Sequence, residues 1–361
     1  MDDAPESAGE PRKRRPRYPG KYPKRYEQRY KEFDPQSHPA VHERLRAHGR
    51  TPAGAHVPVL ADEVIAALKP TLGNVVVDCT VGYGGHAMRF CRHIGPGGLL
   101  VGFDLDEPEL KRTKQKLLAA GAPLYMVHGN YAGVANALDK LAAADAGRKI
   151  QGADVIFADL GVSSMQVDDP SRGISYKNEG PLDMRMDRRV GQTGADVLAK
   201  ISLEHLSLAL WELADEPDHE KIAQWIVNQR QVQPITTTGQ LVRLIFHAKG
   251  TTEKAWRKRA AFSDLHPAAR TFQAIRILVN DELGSLRELL RVAPSCLRPG
   301  GRIGVISFHS GEDRLVKNAF REGLRQGVYQ ALCEHVVRPT QQETRSNPRS
   351  ASAKFRWAQR A

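Results

Sequence analysis

Cysteine is scarce: Cys79, Cys91, Cys296 and Cys333 are the only four in 361 residues, far apart and without a C-x-x-C pair. That spacing argues against a zinc site and a disulfide framework, and it fits a reducing compartment. No uninterrupted apolar run approaches membrane-spanning length. The first ten residues carry Asp2, Asp3, Glu6 and Glu10 rather than the features of a secretory or organellar presequence. The cytoplasm and no membrane partner are therefore the expectation. Acids are also in deficit, 41 against 53 Lys and Arg, and the formal net charge of +12 favours a polyanionic partner. No internal repeat is present.

The chain is nonetheless long and apolar enough, at 41% hydrophobic, to bury one large core or two smaller ones. Residues 1 to about 55 hold little of that apolar material. Between Pro11 and Lys31 ten Lys or Arg face the single acid Glu27, with Tyr18, Tyr22, Tyr26 and Tyr30 interleaved. This reads as a disordered basic arm, suited to phosphate neutralisation and base stacking or simply to being a solvated tail.

The organising stretch is Asp78 to His86, Asp-Cys-Thr-Val-Gly-Tyr-Gly-Gly-His, which follows the apolar run Val75 to Val77. It reads as a strand, a glycine turn and a helix start, where backbone N–H groups face a ligand. Gly82, Gly84 and Ala87 fit the loose pattern G-x-G-x-x-G/A, and Asp104 ends the next apolar run where a ribose-binding acid belongs. Asp78 at the mouth of the turn would repel a pyrophosphate and attract an ammonium. That disfavours a nicotinamide dinucleotide and favours S-adenosylmethionine; a turn that merely joins strand to helix stays open.

From His56 onward strands and helices alternate: strands over 75–79, 99–104, 124–128 and 154–159, helices over 85–93, 108–120 and 132–144. The spacing predicts an α/β fold with a doubly wound parallel sheet, whose ligands sit at the strands' carboxyl ends. Asp78, Asp104, Asp159 and the segment His128 to Tyr131 all fall there. Asp104 can take ribose hydroxyls, and Tyr131 offers a ring face for adenine.

After Asp159 the rhythm stops in a turn-rich region running through Gln166, Arg172 and Gly180 to Asp187. Helical patterns follow at 203–214, 219–231 and 239–247, then a basic loop, Lys249 to Arg259, around Trp256. A helix begins after His266-Pro267 and continues towards Leu297, and the strand Arg302 to Ser307 returns to the sheet. The tail offers a helix from Glu312 to about Gly323 and two extended runs, 329–337 and 354–359, able to close the sheet edge. The expected division is an arm over 1–55, a cofactor-binding domain over 56–166 and 265–361, and a helical insert over 167–264.

On these residues the chain resembles the bacterial MraW, or RsmH, family. The resemblance runs through His56 to Leu60, Gly82 to His86, Asp159 to Gln166, Gly180 to Asp187, His266 to Ala274, Ser307 to Arg314 and Asn347 to Ser350. It implies a Rossmann-like class I methyltransferase that uses S-adenosylmethionine, and no metal, to modify the N4 amine of a cytidine in the decoding region of small-subunit (16S) ribosomal RNA. The small ribosomal subunit would be the partner. It further implies that Gly84, Gly85, His86, Asp104, Tyr131, Asp159 and Gln166 contact the cofactor, and that the insert helps recognise RNA. Departures from the family pattern are Gly311 in place of Leu, Ala269 in place of Thr or Lys, and an arm that looks extra.

A cytosine amine is a poor nucleophile, so such an enzyme must align it with the methyl group and take up a proton. Asp183 and His309 are candidates for that proton or for orienting the base; Asp183 can equally pair with Arg185 or Arg188, and His309 can be a satisfied strand-end histidine. Arg172, Arg185, Arg270 and Arg314 are candidate phosphate or cofactor-carboxylate contacts, and Lys254 and Arg257 candidate RNA contacts. The alternative is a non-catalytic ribosome-assembly factor that binds RNA and keeps the cofactor fold. A DNA amino-methyltransferase is disfavoured because Asp159-Leu160-Gly161-Val162 is not the (D/N/S)-P-P-Y/F motif of those enzymes.

Overall fold

The computed structural model describes residues 58–144, 151–189, 191–261 and 264–361. The basic arm expected over 1–55 lies outside them. A short entry helix α1 (Ala61–Leu68) precedes β1 (Val75–Asp78), α2 (Gly85–Ile94), β2 (Leu99–Asp104), α3 (Glu107–Leu118), β3 (Leu124–His128), α4 (Val134–Ala144) and β4 (Ala153–Asp159). The seven-stranded sheet has the order β3-β2-β1-β4-β5-β7-β6, with β5 (Leu297–Ser307), β6 (Tyr329–Leu332) and β7 (Lys354–Arg360). Strands β1 to β5 pair in parallel, while β7 runs antiparallel between β5 and β6. The doubly wound sheet expected from the alternation is the one observed.

The parallel strands read as near-continuous apolar runs because both faces are covered. Val77, Val101, Phe103, Ile156, Ala158, Ile303 and Val305 pack into the core on one face. Val76, Leu100, Val155, Phe157 and Ile306 pack into the core on the other, against α1 and α2. All four cysteines are free and buried. Among the described residues no helix is long and apolar enough to cross a membrane.

Between β4 and β5 lie α5 (Ser164–Asp168), α6 (Gly194–Lys200), α7 (Leu203–Ala214), α8 (His219–Val232), α9 (Thr238–Ala248), α10 (Glu253–Arg259), α11 (Ala269–Asn280) and α12 (Glu282–Cys296). Helices α6 to α9 build a third core, with Leu198, Leu206, Leu210, Ile222, Ile226, Leu241 and Ile245 buried in it. That core is not confined to residues 167–264: Ala268, Phe272 and Ile275 of the α11 region also belong to it.

The structure corrects three local expectations. The basic stretch 249–259 is not all loop: Thr252 accepts a bond from the Ala255 N–H and starts α10. The single helix expected from Pro267 towards Leu297 is two, broken at Asp281 in the left-handed conformation (φ 46°). The break lets α11 face the helical core while Leu286, Leu289 and Ala293 of α12 face the sheet. The extended run 329–337 forms a strand only to Leu332, and Val337 rejoins as an isolated bridge to Phe355.

Gly102 in β2 is where the sheet meets the glycine turn. A Cβ there would lie 2.6 Å from the Val81 Cγ2 and 3.0 Å from the Met126 sulfur. Val81 is buried and β-branched, so the turn itself must shift. Gly102→Ala is expected to cost about 1–3 kcal/mol in urea unfolding and to weaken ligand binding at the turn, measured by calorimetry.

Candidate active site

The turn after β1 is held from three sides. The Thr80 hydroxyl accepts from the Asp159 N–H at 2.6 Å, tying the turn to the end of β4. The Gly82 N–H donates to Asp104 Oδ2 at 2.7 Å, and its carbonyl accepts from the Thr113 hydroxyl of α3 at 2.6 Å. Gly84 then caps α2 in the left-handed conformation (φ 79°). A Cβ at Gly84 would lie 2.7 Å from the Thr113 Cγ2, and one at Gly85 would lie 3.2 Å from Pro58, so the turn packs closely against α3 and the entry segment and Gly84 cannot carry a side chain without a shift.

Because β1 lies between β2 and β4, and β5 follows β4, the carboxyl ends of these strands bring Asp78, Asp104, Asp159 and Glu312 into one acidic cluster. Burial pushes Asp78 up to about 7, helped by Asp104, although the Thr80 N–H bond works the other way. Burial, then the charges of Asp78 and Glu312, push Asp159 up to about 8. Asp104 is also raised by burial, against N–H bonds from Asp106 and Gly82. Asp78 is 1% exposed, whereas 26% of the Asp159 side chain is open, so Asp159 is the carboxyl that a ligand meets first. Asp78 Oδ2 and Asp159 Oδ1 are buried without a hydrogen-bond partner.

His86 lies against this cluster, its ring 4.5 Å from that of Phe157 and its Nε2 3.7 Å from Asp159 Oδ2. Burial and then Arg89 push it down to about 3, so it is a neutral imidazole at physiological pH. Tyr131 is half-buried after β3, and burial holds its hydroxyl well above the usual range. The Gln166 side-chain oxygen accepts from the Ser163 N–H at 3.0 Å in a capping box that starts α5.

The loop from Asp169 to Asp187 is pinned beside the β2 end of the site. The Arg172 guanidinium pairs with Asp106, the N-cap of α3, and reaches the Met186 carbonyl at 3.3 Å. Asn280 accepts from the Met186 N–H at 2.7 Å and donates to the Met184 carbonyl at 2.8 Å. Asp183 is gripped by Arg185 at 2.8 and 3.2 Å, with Arg188 at 3.8 Å. Burial alone would raise the Asp183 carboxyl, but Arg185 outweighs it and holds it below the usual range, which makes it a weak proton acceptor. Arg172 and Arg185 thus keep their guanidiniums inside the protein, 14% and 22% exposed, with little left for a phosphate.

His309 ends β5's loop as the N-cap of α13 (Ser310–Arg325), with Nε2 3.2 Å from Glu312 Oε1. Glu312 also accepts from the Phe308 N–H at 2.8 Å and is 2% exposed. Burial works to raise it, yet His309, the Phe308 N–H and Arg276 together hold it below its ordinary value. Arg270 is joined to the Asp215 carbonyl. Lys254 and Arg257 stand exposed on α10, Arg257 paired with Glu253. These three are therefore separate from the acid cluster in their bonding. Among the described residues no group of three or more His, Cys, Asp or Glu could hold a metal ion.

Five residues escaped the sequence reading: Thr80, Asp106, Thr113, Asn280 and Glu312. Glu312 had a signal, an acid three positions after the strand-end histidine at capping-box spacing. Thr113 and Asn280 act across the fold and left none.

Retained protons make the acid cluster pH-sensitive. An unfolded aspartate ionises near pH 4, whereas Asp78 and Asp159 keep their protons to about 7 and about 8. The folded chain therefore holds more protons across that window and loses stability as pH rises through it. His86 acts with the opposite sign below its ordinary value, so the readout is variant against parent at each pH. Asp78→Asn is expected to raise Tm relative to the parent by more at pH 8 than at pH 5; an equal difference at both would contradict a protonated Asp78.

The MraW methylase family model matches residues 53–361. Ribosomal RNA small subunit methyltransferase H of Acidobacterium capsulatum is 40% identical over 311 residues, covering 84% of this chain and 98% of its own. Ribosomal RNA small subunit methyltransferase H 2 of Alkaliphilus metalliredigens is 38% identical over 353 residues, covering 98% of this chain and 99% of its own. The family model leaves the basic arm outside it, as expected of an arm extra to the family, whereas the Alkaliphilus metalliredigens relative aligns over nearly the whole chain. With a family match over most of its length and relatives of this similarity, the chain belongs to the MraW methylase family.

Proposed function

We propose that the protein uses S-adenosylmethionine to methylate the N4 amine of a cytidine in the decoding region of small-subunit ribosomal RNA. The observation that carries the cofactor reading is the acid cluster beside the glycine cradle. Two buried carboxyl oxygens without partners, on Asp78 and Asp159, suit a ligand that brings positive charge, and a pyrophosphate would be repelled. S-adenosylmethionine meets that requirement through its ammonium and sulfonium, and it supplies an electrophilic methyl group. The names of the relatives support ribosomal RNA as substrate. The family resemblance supports the N4 position.

Asp104, with both oxygens already oriented by N–H groups of Gly82 and Asp106, would hold ribose hydroxyls. Tyr131 offers a ring face for the base, while Gly84, Gly85 and the neutral His86 shape the cradle. Gln166 would act through the α5 turn that it caps. Asp159 is the group best suited to orient the cytidine amine and take its proton: it stands at the carboxyl end of β4, is partly open, and has a carboxyl near neutrality. His309 is oriented by Glu312 and would line the same pocket. Asp183 then serves to shape the loop through its arginines. The helical layer would take up the RNA, with Arg270, Lys254 and Arg257 as contacts.

The deciding experiment transfers labelled methyl from S-adenosylmethionine to purified small subunits lacking the modification, followed by nucleoside mass spectrometry. N4-methylcytidine is expected with the parent and not with Asp104→Ala. Asp159→Asn is expected to weaken cofactor binding and, at saturating cofactor, to lose about 10²–10⁴-fold in kcat, while Asp183→Asn loses far less. Cofactor binding without any transfer to subunits or free RNA would replace this reading with that of an assembly factor.

A further inference from the structure

The active-site pocket is acidic, yet the substrate proposed for it is a polyanion. Asp78, Asp104, Asp159 and Glu312 gather where a base must enter, and carboxyl groups, protonated or not, offer a phosphate no countercharge. The phosphates flanking that base need countercharge outside the pocket.

Helix α13 starts at the pocket and carries such charge along one face. Its buried side is Glu312, Val316, Phe320 and Gly323. On the other side Arg314, Lys317 and Arg321 follow at i, i+3 and i+7, in line with Ser310. Arg314 and Arg321 are exposed and Lys317 half-buried. Among the described residues none of these three side chains has an acid within ion-pair distance or a hydrogen-bond partner.

The acids nearest in sequence are already engaged. Asp313 holds Lys354 at 3.3 Å and Arg356 at 2.7 Å, and Glu322 holds Arg325 at 2.6 Å. Several cations on other surface helices are paired within their helix, as Lys111 with Glu107, Arg257 with Glu253 and Arg291 with Glu288, whereas the three on this face are not. Like charges one turn apart oppose helix stability, so the stripe is a local choice against folding, the kind of conflict expected at a functional surface. At the pocket end the Ser310 hydroxyl donates to Asp215 at 2.8 Å, and the Asp215 carbonyl accepts from Arg270. Asp215 thus ties the first turn of α13 to Arg270 in the helical layer.

We propose that Arg314, Lys317 and Arg321 form a track for the backbone phosphates of the ribosomal RNA strand next to the target base. The row spans about 10 Å of helix and runs outward from the turn that holds His309 and Glu312. It reads charge and spacing, without base contacts, so it holds the strand in place while the pocket selects the base. This rests on the ribosomal RNA reading above.

The test uses the full chain with Arg314→Gln, Lys317→Gln and Arg321→Gln combined. Its comparison variant carries Arg92→Gln, Lys114→Gln and Lys140→Gln, exposed cations on α2, α3 and α4 that change net charge equally. Anisotropy with a labelled decoding-region RNA fragment is read over a range of salt, beside Tm, cofactor calorimetry and methyl-transfer kinetics. The stripe variant should retain cofactor affinity, keep or raise its Tm, and raise KM for RNA at least tenfold with kcat little changed. Its slope of log affinity against log salt should be shallower by about 2 to 3. An unchanged slope and KM, or an equal loss in the comparison variant, overturns the track and leaves the functional reading intact. If the parent chain itself neither binds nor methylates the RNA, the functional reading fails, and the track with it.

Discussion

Negative charge placed where water is scarce is the constraint on which the rest of the site depends. A parallel sheet with β1 between β2 and β4 sends the chain ends of three strands to one spot, and aspartates occupy all three ends. Burying carboxylates without a cation is costly, and the fold answers it in two ways: the N–H groups of Gly82 and Asp106 orient Asp104, and protons remain on Asp78 and Asp159. Neither answer uses up the site, because two carboxyl oxygens stay unpartnered. A ligand that brings positive charge completes what folding leaves incomplete, so affinity and instability have the same origin.

The same constraint explains where the cations went. Arg172 sits on Asp106, Arg185 on Asp183, and Arg276 on Glu282, each beside the pocket and none directed at the Asp78–Asp159 pair. An arginine among those aspartates would satisfy them and remove the reason for the cofactor to bind. The arginines brace the surrounding loop instead, which gives the pocket a rigid rim while its centre remains acidic.

Much of this was legible in the sequence because it is local. The strand-turn-helix unit at Asp78 to His86, the Asp at each strand end and the βα alternation are short-range patterns, and the structure places them as expected. What escaped depends on contacts between distant segments. Nothing near Thr113 tells that its hydroxyl holds the Gly82 carbonyl 31 residues away, or near Asn280 that it clamps the loop at Met184 and Met186. The roles of Asp183 and the arginines were ambiguous in sequence for a related reason: composition shows that the partners exist, whereas only packing decides which of them meet. The break at Asp281 was hidden because the apolar periodicity of α11 and α12 continues across it, and one left-handed residue redirects the chain from the helical core to the sheet.

A second left-handed residue, Asp215, shows how the two cores act together. It closes α7 at φ 50°, a conformation that costs a non-glycine residue about 1–2 kcal/mol. A glycine there would avoid the cost and lose the side chain. That side chain accepts from Ser310, the first residue of α13, while the Asp215 carbonyl accepts from Arg270 at the start of α11. The helical layer is thus fastened to the helix that carries Glu312 at its pocket end and the cation row along its outer face. Strain at one residue is offset by a junction in which a displacement of α7 reaches the first turn of α13 directly. Residues gathered from separate segments of the chain are therefore held in one braced unit.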